Sequence, residues 1–233
     1  MFGSIAGRYD FLNHFLSANI DRRWRRICVR ETERRIEMPL PKILDIGCGT
    51  ADLSLAFSRV GTVFGCDFSH PMLRIGAKKI AGSSVCAPIY LFEADALTLP
   101  FTEASFDVVT SAFVLRNLAD IDRGFYEMRR VLRPGGIMSV LEFGMPKISF
   151  LLPLYRCYFL KILPRLGRLI SGVDGPYGYL PSSVQAFPPV EELQETAARA
   201  GFVDLECRRL TAGIAILLTG RAGDGSTDSR RPL

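Results

Sequence analysis

The stretch ILDIGCGTADL, residues 43–53, constrains the fold of this chain more than any other feature. An apolar run that contains Asp45 leads into a Gly47-Cys48-Gly49 turn, and a polar pair then opens a helical pattern. Glycine adopts backbone conformations closed to other residues, and it lets a ligand approach the main chain closely. A strand, a glycine turn and a helix in this order predict a nucleotide-binding α/β unit.

Short apolar runs and helical patterns alternate after residue 42, which is typical of a parallel sheet covered by helices. The predicted strands are KILDI, TVFGCD, IYLFEA, FDVVTSAF and GIMSVLEF, and the predicted helices span about 51–59, 70–81, 119–132 and 189–200. The last run, VDLECRRLTAGIAILLTG, has no room for a helix between its two strand-like halves, which join near 211–213. We therefore predict an α/β fold with a Rossmann-like, mostly parallel seven-stranded sheet that ends in an antiparallel hairpin, with helices on both faces.

The chain of 233 residues predicts one domain over 1–220. Residues 1–40 form a predicted helical cap, which two prolines near position 40 end. Residues 145–188 form an apolar and basic insertion, predicted to be a helical lid or an interfacial segment, with a purely structural insertion as the alternative. The polar tail 221–233 is predicted to be disordered.

Two segments carry much of the positive charge. Residues 22–35 hold seven arginines against two glutamates, and residues 147–173 hold five basic residues and no acid. Such segments favour an anionic surface as partner, either lipid headgroups or nucleic acid, although a solvated helix face is the plain alternative. The six cysteines form no CxxC pair and there are two histidines, so we expect reduced thiols and no metal site. The chain shows neither a signal peptide nor a membrane span, and we expect a cytoplasmic protein.

The glycine turn lacks the third glycine of a dinucleotide-binding motif, because Asp52 stands at that position. A carboxylate there would repel a pyrophosphate and suit a cationic ligand. Asp67 ends the second predicted strand, where it can accept hydrogen bonds from ribose hydroxyls, although NAD enzymes share its spacing from Gly47. Asp95 follows the third strand, where it can accept from an adenine amino group, and Ala96 offers a backbone N–H. Acidic strand ends favour S-adenosylmethionine over a diphosphate.

Several blocks of the chain are similar to one family. ILDIGCGTADL, DALTLPF, FVLRNLADID, VLRPGGIMSVLEF and the final strand pair resemble class I methyltransferases. More narrowly, these blocks, YLPSSV and the opening MFGSIAGRYDFLNHFLSANIDRRWRR resemble the ubiquinone/menaquinone biosynthesis C-methyltransferases over about residues 1–220. The resemblance implies methyl transfer from S-adenosylmethionine to a ring carbon of a polyprenylated benzoquinol or naphthoquinol.

The residues and the resemblance together predict the cofactor site. Its predicted members are Asp45, Gly47, Gly49, Thr50, Asp67, Phe68, Asp95, Ala96 and Ala112. The chain departs from the family pattern at Ala112, where Ser or Gly is frequent, and at Gly178, where the family has Arg. It departs also at Asn19 and Asp21, where the family has Gly and His. These departures concern substrate contact rather than the class of chemistry.

Methylation of a ring carbon needs a neighbouring hydroxyl to lose its proton, so the acceptor must be a quinol. A phenol titrates near pH ~10, so the site must take that proton or stabilise the phenolate. We predict that Arg116 stabilises the developing oxyanion, because arginine stays protonated and is no base. Asn117 would orient the ring oxygen or a water, and Tyr9 would stack on the ring, with plain packing as its alternative. His14, one helical turn from Asp10, is a weaker candidate for a proton relay.

Other functions stay open at this point. The acceptor is most simply demethylmenaquinol, but a ubiquinone-precursor benzoquinol fits equally well. Further alternatives are a small-molecule O- or N-methyltransferase, an RNA methyltransferase, a cofactor-binding protein without catalysis and an NAD-linked oxidoreductase. The chain carries no NPPY motif of RNA enzymes, and we expect no nucleic-acid partner. A prenyl tail partitions into lipid, so we expect transient contact of a cytoplasmic enzyme with the membrane surface, and the sequence leaves a homodimer open.

Overall fold

The fold is described from a computed structural model, which covers residues 19–145 and 183–224. The strands are β1 (Lys42–Ile46), β2 (Thr62–Asp67), β3 (Ile89–Glu93), β4 (Phe106–Ala112), β5 (Leu132–Phe143), β6 (Phe202–Leu210) and β7 (Ala215–Ala222). The helices are α1 (Ile20–Glu33), α2 (Asp52–Phe57), α3 (His70–Ala81), α4 (Ile121–Val131) and α5 (Val190–Arg199). Two short 3₁₀ turns follow β4 and β6, at Leu115–Asn117 and Thr211–Gly213.

The seven strands form one sheet in the order β3-β2-β1-β4-β5-β7-β6. Strand β7 runs antiparallel to both of its neighbours, and every other pair is parallel. The predicted fold is thereby confirmed, including the antiparallel hairpin at the end of the chain. The strand order reverses between β1 and β4, and open α/β sheets bind ligands at such a switch point, outside the carboxyl ends of the strands.

Helices bury both faces of the sheet. Ile43 and Leu44 are consecutive in β1 and point to opposite faces. Ile43 packs in a cluster with Trp24 of α1, whereas Leu44 packs in a second cluster with Phe125 of α4. The sequences of the central strands are therefore almost continuously apolar, because neither face of these strands is exposed to water.

Two predicted boundaries were wrong. Strand β5 begins at Leu132, four residues before the predicted Gly136, and its pairing with β4 shifts register between Phe106 and Val108. The predicted tail began at residue 221, but Arg221 pairs with Val203 in the last two strands. Both errors arise where glycine or charged residues lie inside a strand, because a prediction from composition assigns such residues to loops.

Parts of the other predicted segments lie outside the described residues. Helix α1 occupies 20–33 of the predicted cap, while 1–18 are not described, and neither are 146–182 of the predicted insertion. Residues 183–186 form one helical turn before α5. Within the described ranges, no helix is long and apolar enough to cross a membrane, and no group of three potential metal ligands comes together.

Candidate active site

The glycine turn after β1 is held against the segment that follows β4. Gly47 and Gly49 have φ values of +66° and +55°, a region that glycine enters with little strain. A Cβ built on Gly47 would lie 2.3 Å from Cγ2 of Val114, so no larger residue fits between the turn and this side chain. The turn therefore lies at the β1–β4 switch point, where open α/β sheets bind ligands.

Asp45 lies behind the turn rather than in an open crevice. Its side chain is buried, with 1% of the residue exposed, and Oδ2 accepts a 2.6 Å hydrogen bond from the Ser54 hydroxyl of α2. Burial raises the pKa of Asp45 to about 7, and the hydrogen bond from Ser54 and the nearby charge of Arg25 oppose this rise. Asp45 thus links the turn to α2, and this burial favours an indirect role toward a ligand.

Asp67 stands at the carboxyl end of β2, beside the glycine turn. Its Oδ2 accepts from the Gly49 N–H and its Oδ1 from the Ser69 N–H, both at 2.8 Å. Burial raises the pKa of this carboxyl group, and the two backbone hydrogen bonds oppose the rise. The next residue, Phe68, leaves 80% of its surface exposed, although large aromatic side chains are usually covered. An oriented carboxylate therefore lies next to an uncovered aromatic ring.

The end of β3 brings a second carboxylate to the same edge. Asp67 pairs in register with Glu93, the last residue of β3, and Asp95 follows two residues later. Asp95 is exposed, and its Oδ1 accepts from the Leu97 N–H at 2.9 Å. Ala96, the next residue, is half-buried. The acidic strand ends that the sequence predicts are thus neighbours in space.

Asp52 does not present an uncompensated charge, so a nearby cation weakens the predicted repulsion between Asp52 and a pyrophosphate. Lys79 of α3 lies 2.7 Å from Oδ1 of Asp52 and also donates to the Thr50 hydroxyl at 3.1 Å. About a quarter of each charged side chain is exposed. This pairing could not be predicted from the sequence, because the two residues lie 27 positions apart. The preference for a cationic nucleoside therefore depends on Asp67 and Asp95.

Arg116 and Asn117 lie together in the 3₁₀ turn that follows β4. Nη1 of Arg116 donates to the Phe113 carbonyl at 2.5 Å, and Nδ2 of Asn117 donates to the same oxygen at 3.3 Å. Nη1 also donates to Oε1 of Glu142 at 2.7 Å, in an ion pair whose side chains are 7% and 1% exposed. Arg116 is consequently not a free cation, since a buried carboxylate at the end of β5 compensates it.

Two polar atoms of this turn are buried without a hydrogen-bond partner in the described ranges, Nε of Arg116 and Oδ1 of Asn117. Such atoms are rare in folded proteins and call for an explanation, of which a bound ligand is one. Arg116 also lines a cavity of about 340 Å³. The other lining residues are Leu118, Ile121, Ser183, Ala186, Phe187 and Pro188. An arginine with an unused donor thus borders a mainly apolar space.

Helix α1 adds an aromatic and charged wall that the sequence reasoning missed. The Phe113 and Phe143 rings lie 4.6 Å apart, and Trp24 packs against both. Arg25 lies 5.3 Å from the Phe113 ring centroid, and Arg116 lies 5.0 Å from that of Phe143. The i, i+4 spacing of the buried Trp24 and Cys28 was a signal that this face of the helix points inward.

The remaining predicted residues differ in how they are placed. Ala112 is the last residue of β4, half-buried and in register with Leu141. It offers no side-chain hydroxyl, in agreement with the departure noted in the sequence. Tyr9, Asp10 and His14 lie outside the described residues.

The donors and acceptors at this edge fit an adenosine derivative. Each Asp67 oxygen receives one backbone N–H and retains a second lone pair, which can accept from a vicinal diol. The exposed ring of Phe68 offers an apolar face to a base, and Asp95 offers an acceptor for an exocyclic amine. The strand order, the glycine turn and these acidic strand ends define a class I S-adenosylmethionine-dependent methyltransferase.

The comparison with known families agrees. The family model described as the ubiE/COQ5 methyltransferase family matches residues 1–221, and the chain belongs to that family. A demethylmenaquinone methyltransferase of Thermus thermophilus is 44% identical over 94% of this chain and 99% of its own length. A ubiquinone/menaquinone biosynthesis C-methyltransferase UbiE of Geotalea daltonii is 42% identical over 94% of each chain.

Solved structures support the same fold. A methyltransferase from Aquifex aeolicus, described as S-adenosylmethionine-dependent, is similar with a TM-score of 0.61 at 13% identity, over 83% of this chain and 88% of its own. A phosphoethanolamine N-methyltransferase of Haemonchus contortus, solved with S-adenosylhomocysteine, has a TM-score of 0.59 at 19% identity. It is matched over 82% of this chain and 51% of its own.

Proposed function

We propose that this protein methylates a ring carbon of a polyprenylated quinol, with S-adenosylmethionine as methyl donor and demethylmenaquinol as acceptor. The observation that carries the proposal is the buried Arg116–Glu142 ion pair after β4, whose arginine borders a mainly apolar cavity. Family membership and the relative named as a demethylmenaquinone methyltransferase support the choice of acceptor.

The cofactor site would be formed by the acidic strand ends and the glycine turn. When bound, S-adenosylmethionine supplies an electrophilic methyl group on its sulfonium. Asp67 would accept from the ribose hydroxyls, Phe68 would cover the adenine and Asp95 would accept from its amino group. Thr50 and the open backbone at Gly49 would line the rest of the site.

Arg116 would act on the acceptor as a fixed hydrogen-bond donor. Its Nη1 is held by Glu142 and the Phe113 carbonyl, which leaves Nε to donate to the ring oxygen. A donor fixed in advance stabilises the negative charge that develops on that oxygen without reorganising during the reaction. Arginine stays protonated in proteins, so the proton leaves through another group or water.

Asn117 would help to recognise a hydroxyl rather than a carbonyl. Its Nδ2 is engaged by the Phe113 carbonyl, and its Oδ1 can only accept. A quinol hydroxyl can donate to Oδ1 and accept from Arg116, whereas a quinone oxygen can only accept. The pair thus favours the reduced ring, which is also the form with a nucleophilic carbon.

A direct assay tests this function. The purified protein would be given a short-chain demethylmenaquinol held reduced with dithionite, together with S-adenosylmethionine labelled in its methyl group. We expect one label in the naphthalene ring per turnover, and no transfer to the oxidised quinone. Absence of label even in a single turnover at high enzyme concentration would instead indicate a cofactor-binding protein.

The benzoquinol acceptor is the second candidate, because the Geotalea relative is named for both quinone pathways. The same assay with a ubiquinone-precursor benzoquinol separates the two. Methylation of this benzoquinol at a rate equal to or above that of the naphthoquinol would replace the proposed acceptor.

We further propose that the outer face of α1 contacts anionic lipid. Arg22, Arg23, Arg26 and Arg30 are exposed, and no carboxylate of the described residues lies within ion-pair distance of them. Three of them recur every four residues and so line one side of the helix. Each basic residue near an anionic bilayer contributes about 1 kcal/mol, which suits an enzyme whose acceptor has a prenyl tail.

Vesicle flotation tests this contact. We expect the protein to float with vesicles of phosphatidylglycerol and phosphatidylethanolamine at low salt, and to be released at high salt. A variant with the four arginines changed to glutamine should stay at the bottom of the gradient. Equal flotation with neutral phosphatidylcholine vesicles would contradict the electrostatic contact.

A further inference from the structure

The amino-acid end of the cofactor poses an electrostatic problem that the strand-end residues do not solve. This end carries an α-carboxylate as well as an α-ammonium group. The side chains that line the glycine turn and the neighbouring strand ends include the carboxylates of Asp45, Asp67 and Asp95. A further carboxylate is repelled there unless a cation lies within reach.

We infer that Arg25 of helix α1 binds the α-carboxylate of S-adenosylmethionine. The inference rests on the proposed cofactor and extends its site to the N-terminal helix. None of the strand-end motifs contains this residue.

Helix α1 holds Arg25 at the switch point. Nε1 of Trp24 donates to the Thr211 hydroxyl at 2.8 Å, and its ring packs on Phe113. Cζ of Arg25 lies 5.3 Å from the centroid of the same Phe113 ring. Phe113 directly precedes Val114, whose side chain fills the space beside Gly47. The guanidinium is therefore next to the segment that contacts the glycine turn.

Arg25 is oriented before any ligand binds. Its Nη1 lies 2.5 Å from Oδ2 of Asp21, one helical turn earlier, and the two side chains are 15% and 6% exposed. This pair uses one nitrogen of a planar group with five N–H donors, so a bidentate contact with a second carboxylate is available to the others. The positive charge also opposes the pKa rise at Asp45, which indicates that it acts on the turn from close by.

The other cations at this edge have different partners. Lys79 is engaged by Asp52 and Thr50 on the α3 side of the turn. Arg116 stacks on Phe143 and is held by Glu142. Among the described residues, Arg25 is thus the cation that α1 brings next to the segment contacting the glycine turn.

Two ligands separate this contact from the rest of the site. S-adenosylhomocysteine carries the amino-acid end, whereas 5′-methylthioadenosine has the same adenosine and thioether without it. Isothermal titration of both ligands against the wild type, Arg25→Gln and Arg25→Lys measures the contribution of the carboxylate. Arg26→Gln is the matched control, because Arg26 is the adjacent residue on the exposed face.

We expect Arg25→Gln to weaken the binding of S-adenosylhomocysteine about 30-fold or more. A loss of this size is typical when one partner of a desolvated charge pair is truncated. Arg25→Lys should weaken it less, because the charge remains while the planar fork is lost. Affinity for 5′-methylthioadenosine should stay within about twofold in every variant, and Arg26→Gln should bind both ligands like the wild type.

Equal losses for both ligands in Arg25→Gln and Arg25→Lys would assign Arg25 a structural role and overturn the inference. Unchanged affinity for S-adenosylhomocysteine in a folded Arg25→Gln would overturn it as well, while leaving the proposed function intact. A wild type that binds neither ligand would overturn the proposed function itself.

Discussion

Glu142 of β5 and Arg116 of the 3₁₀ turn after β4 form a buried ion pair, with Nη1 of Arg116 2.7 Å from Oε1 of Glu142. The carboxylate receives the N–H of Phe143 on the same oxygen and the backbone N–H of Arg116 on the other. It therefore fixes both the main chain and the guanidinium of the 3₁₀ turn. A compensated arginine held in this way is suited to direct its unpartnered Nε donor at a substrate oxygen.

Glu142→Gln should impair both stability and turnover. Removing one partner of a buried pair leaves an uncompensated charge and typically costs about 3–5 kcal/mol; the amide still accepts hydrogen bonds, so we expect the lower end. Urea unfolding and steady-state methylation measure the two effects. We expect kcat to fall and the affinity for S-adenosylhomocysteine to stay unchanged.

The matched control for this variant is Glu206→Gln. Glu206 also pairs with an arginine, Arg35, but its side chain is 71% exposed. Exposed pairs contribute about 0–1 kcal/mol, so this variant should be close to wild type in both measurements. A Glu142→Gln protein with wild-type stability and kcat would show that the pair does not organise the site.

Arg116→Ala should lower turnover by roughly 10²–10³-fold, the usual effect of removing one donor to a developing oxyanion. Its cofactor affinity should barely change, because the proposed cofactor contacts come from β2, β3, the glycine turn and Arg25 of α1. Methylation rates and calorimetric binding of S-adenosylhomocysteine check the two halves of this prediction. Near-normal turnover would remove Arg116 from the mechanism.

The order of strands and helices was predictable, because strands that are buried on both faces consist of long apolar runs. The ion pairs were not. Arg116 meets Glu142 only because β4 and β5 pair with Ala112 opposite Leu141, and Asp52 meets Lys79 only because α3 lies against the glycine turn. Such partners depend on register and helix packing, which a single sequence does not specify.

The carboxylates of the site were easier to predict than its cations. Asp67 and Asp95 directly follow apolar strands, and parallel strands end at one edge of a sheet. Arg25 lies instead among seven arginines of residues 22–35, where only helical spacing from Trp24 distinguishes it. From the sequence we interpreted this segment as one basic surface. In the structure, Arg25 lies on the inward side with Trp24, whereas other arginines of the segment are exposed.

Gly47→Ala should distort the glycine turn. A Cβ at this position meets Val114 at 2.3 Å, and a φ of +66° strains any L-residue by about 1–2 kcal/mol. We expect a lower free energy of unfolding and weaker binding of S-adenosylhomocysteine. The double variant Gly47→Ala/Val114→Ala removes the clash but not the backbone strain, so it should recover part of the loss. Full recovery would assign the effect to the clash alone, and no recovery would assign it to the backbone strain alone.

Asp45 should make the stability of the protein depend on pH. Burial raises its pKa in the folded state from the ordinary 3.8 to about 7, so between these values the folded state binds the proton more tightly than the unfolded state. The free energy of unfolding then falls as pH rises across this window and levels off above it.

Asp45→Asn removes the titration and can still accept from Ser54, so it should gain stability over the wild type at pH 8. At pH 4 the difference should be small, because Asp45 is then protonated in the folded state. Urea unfolding of both proteins at several pH values measures this dependence, which includes the repulsion between Asp45 and Asp67. A difference between them that does not vary with pH would show that Asp45 stays ionised beneath the turn.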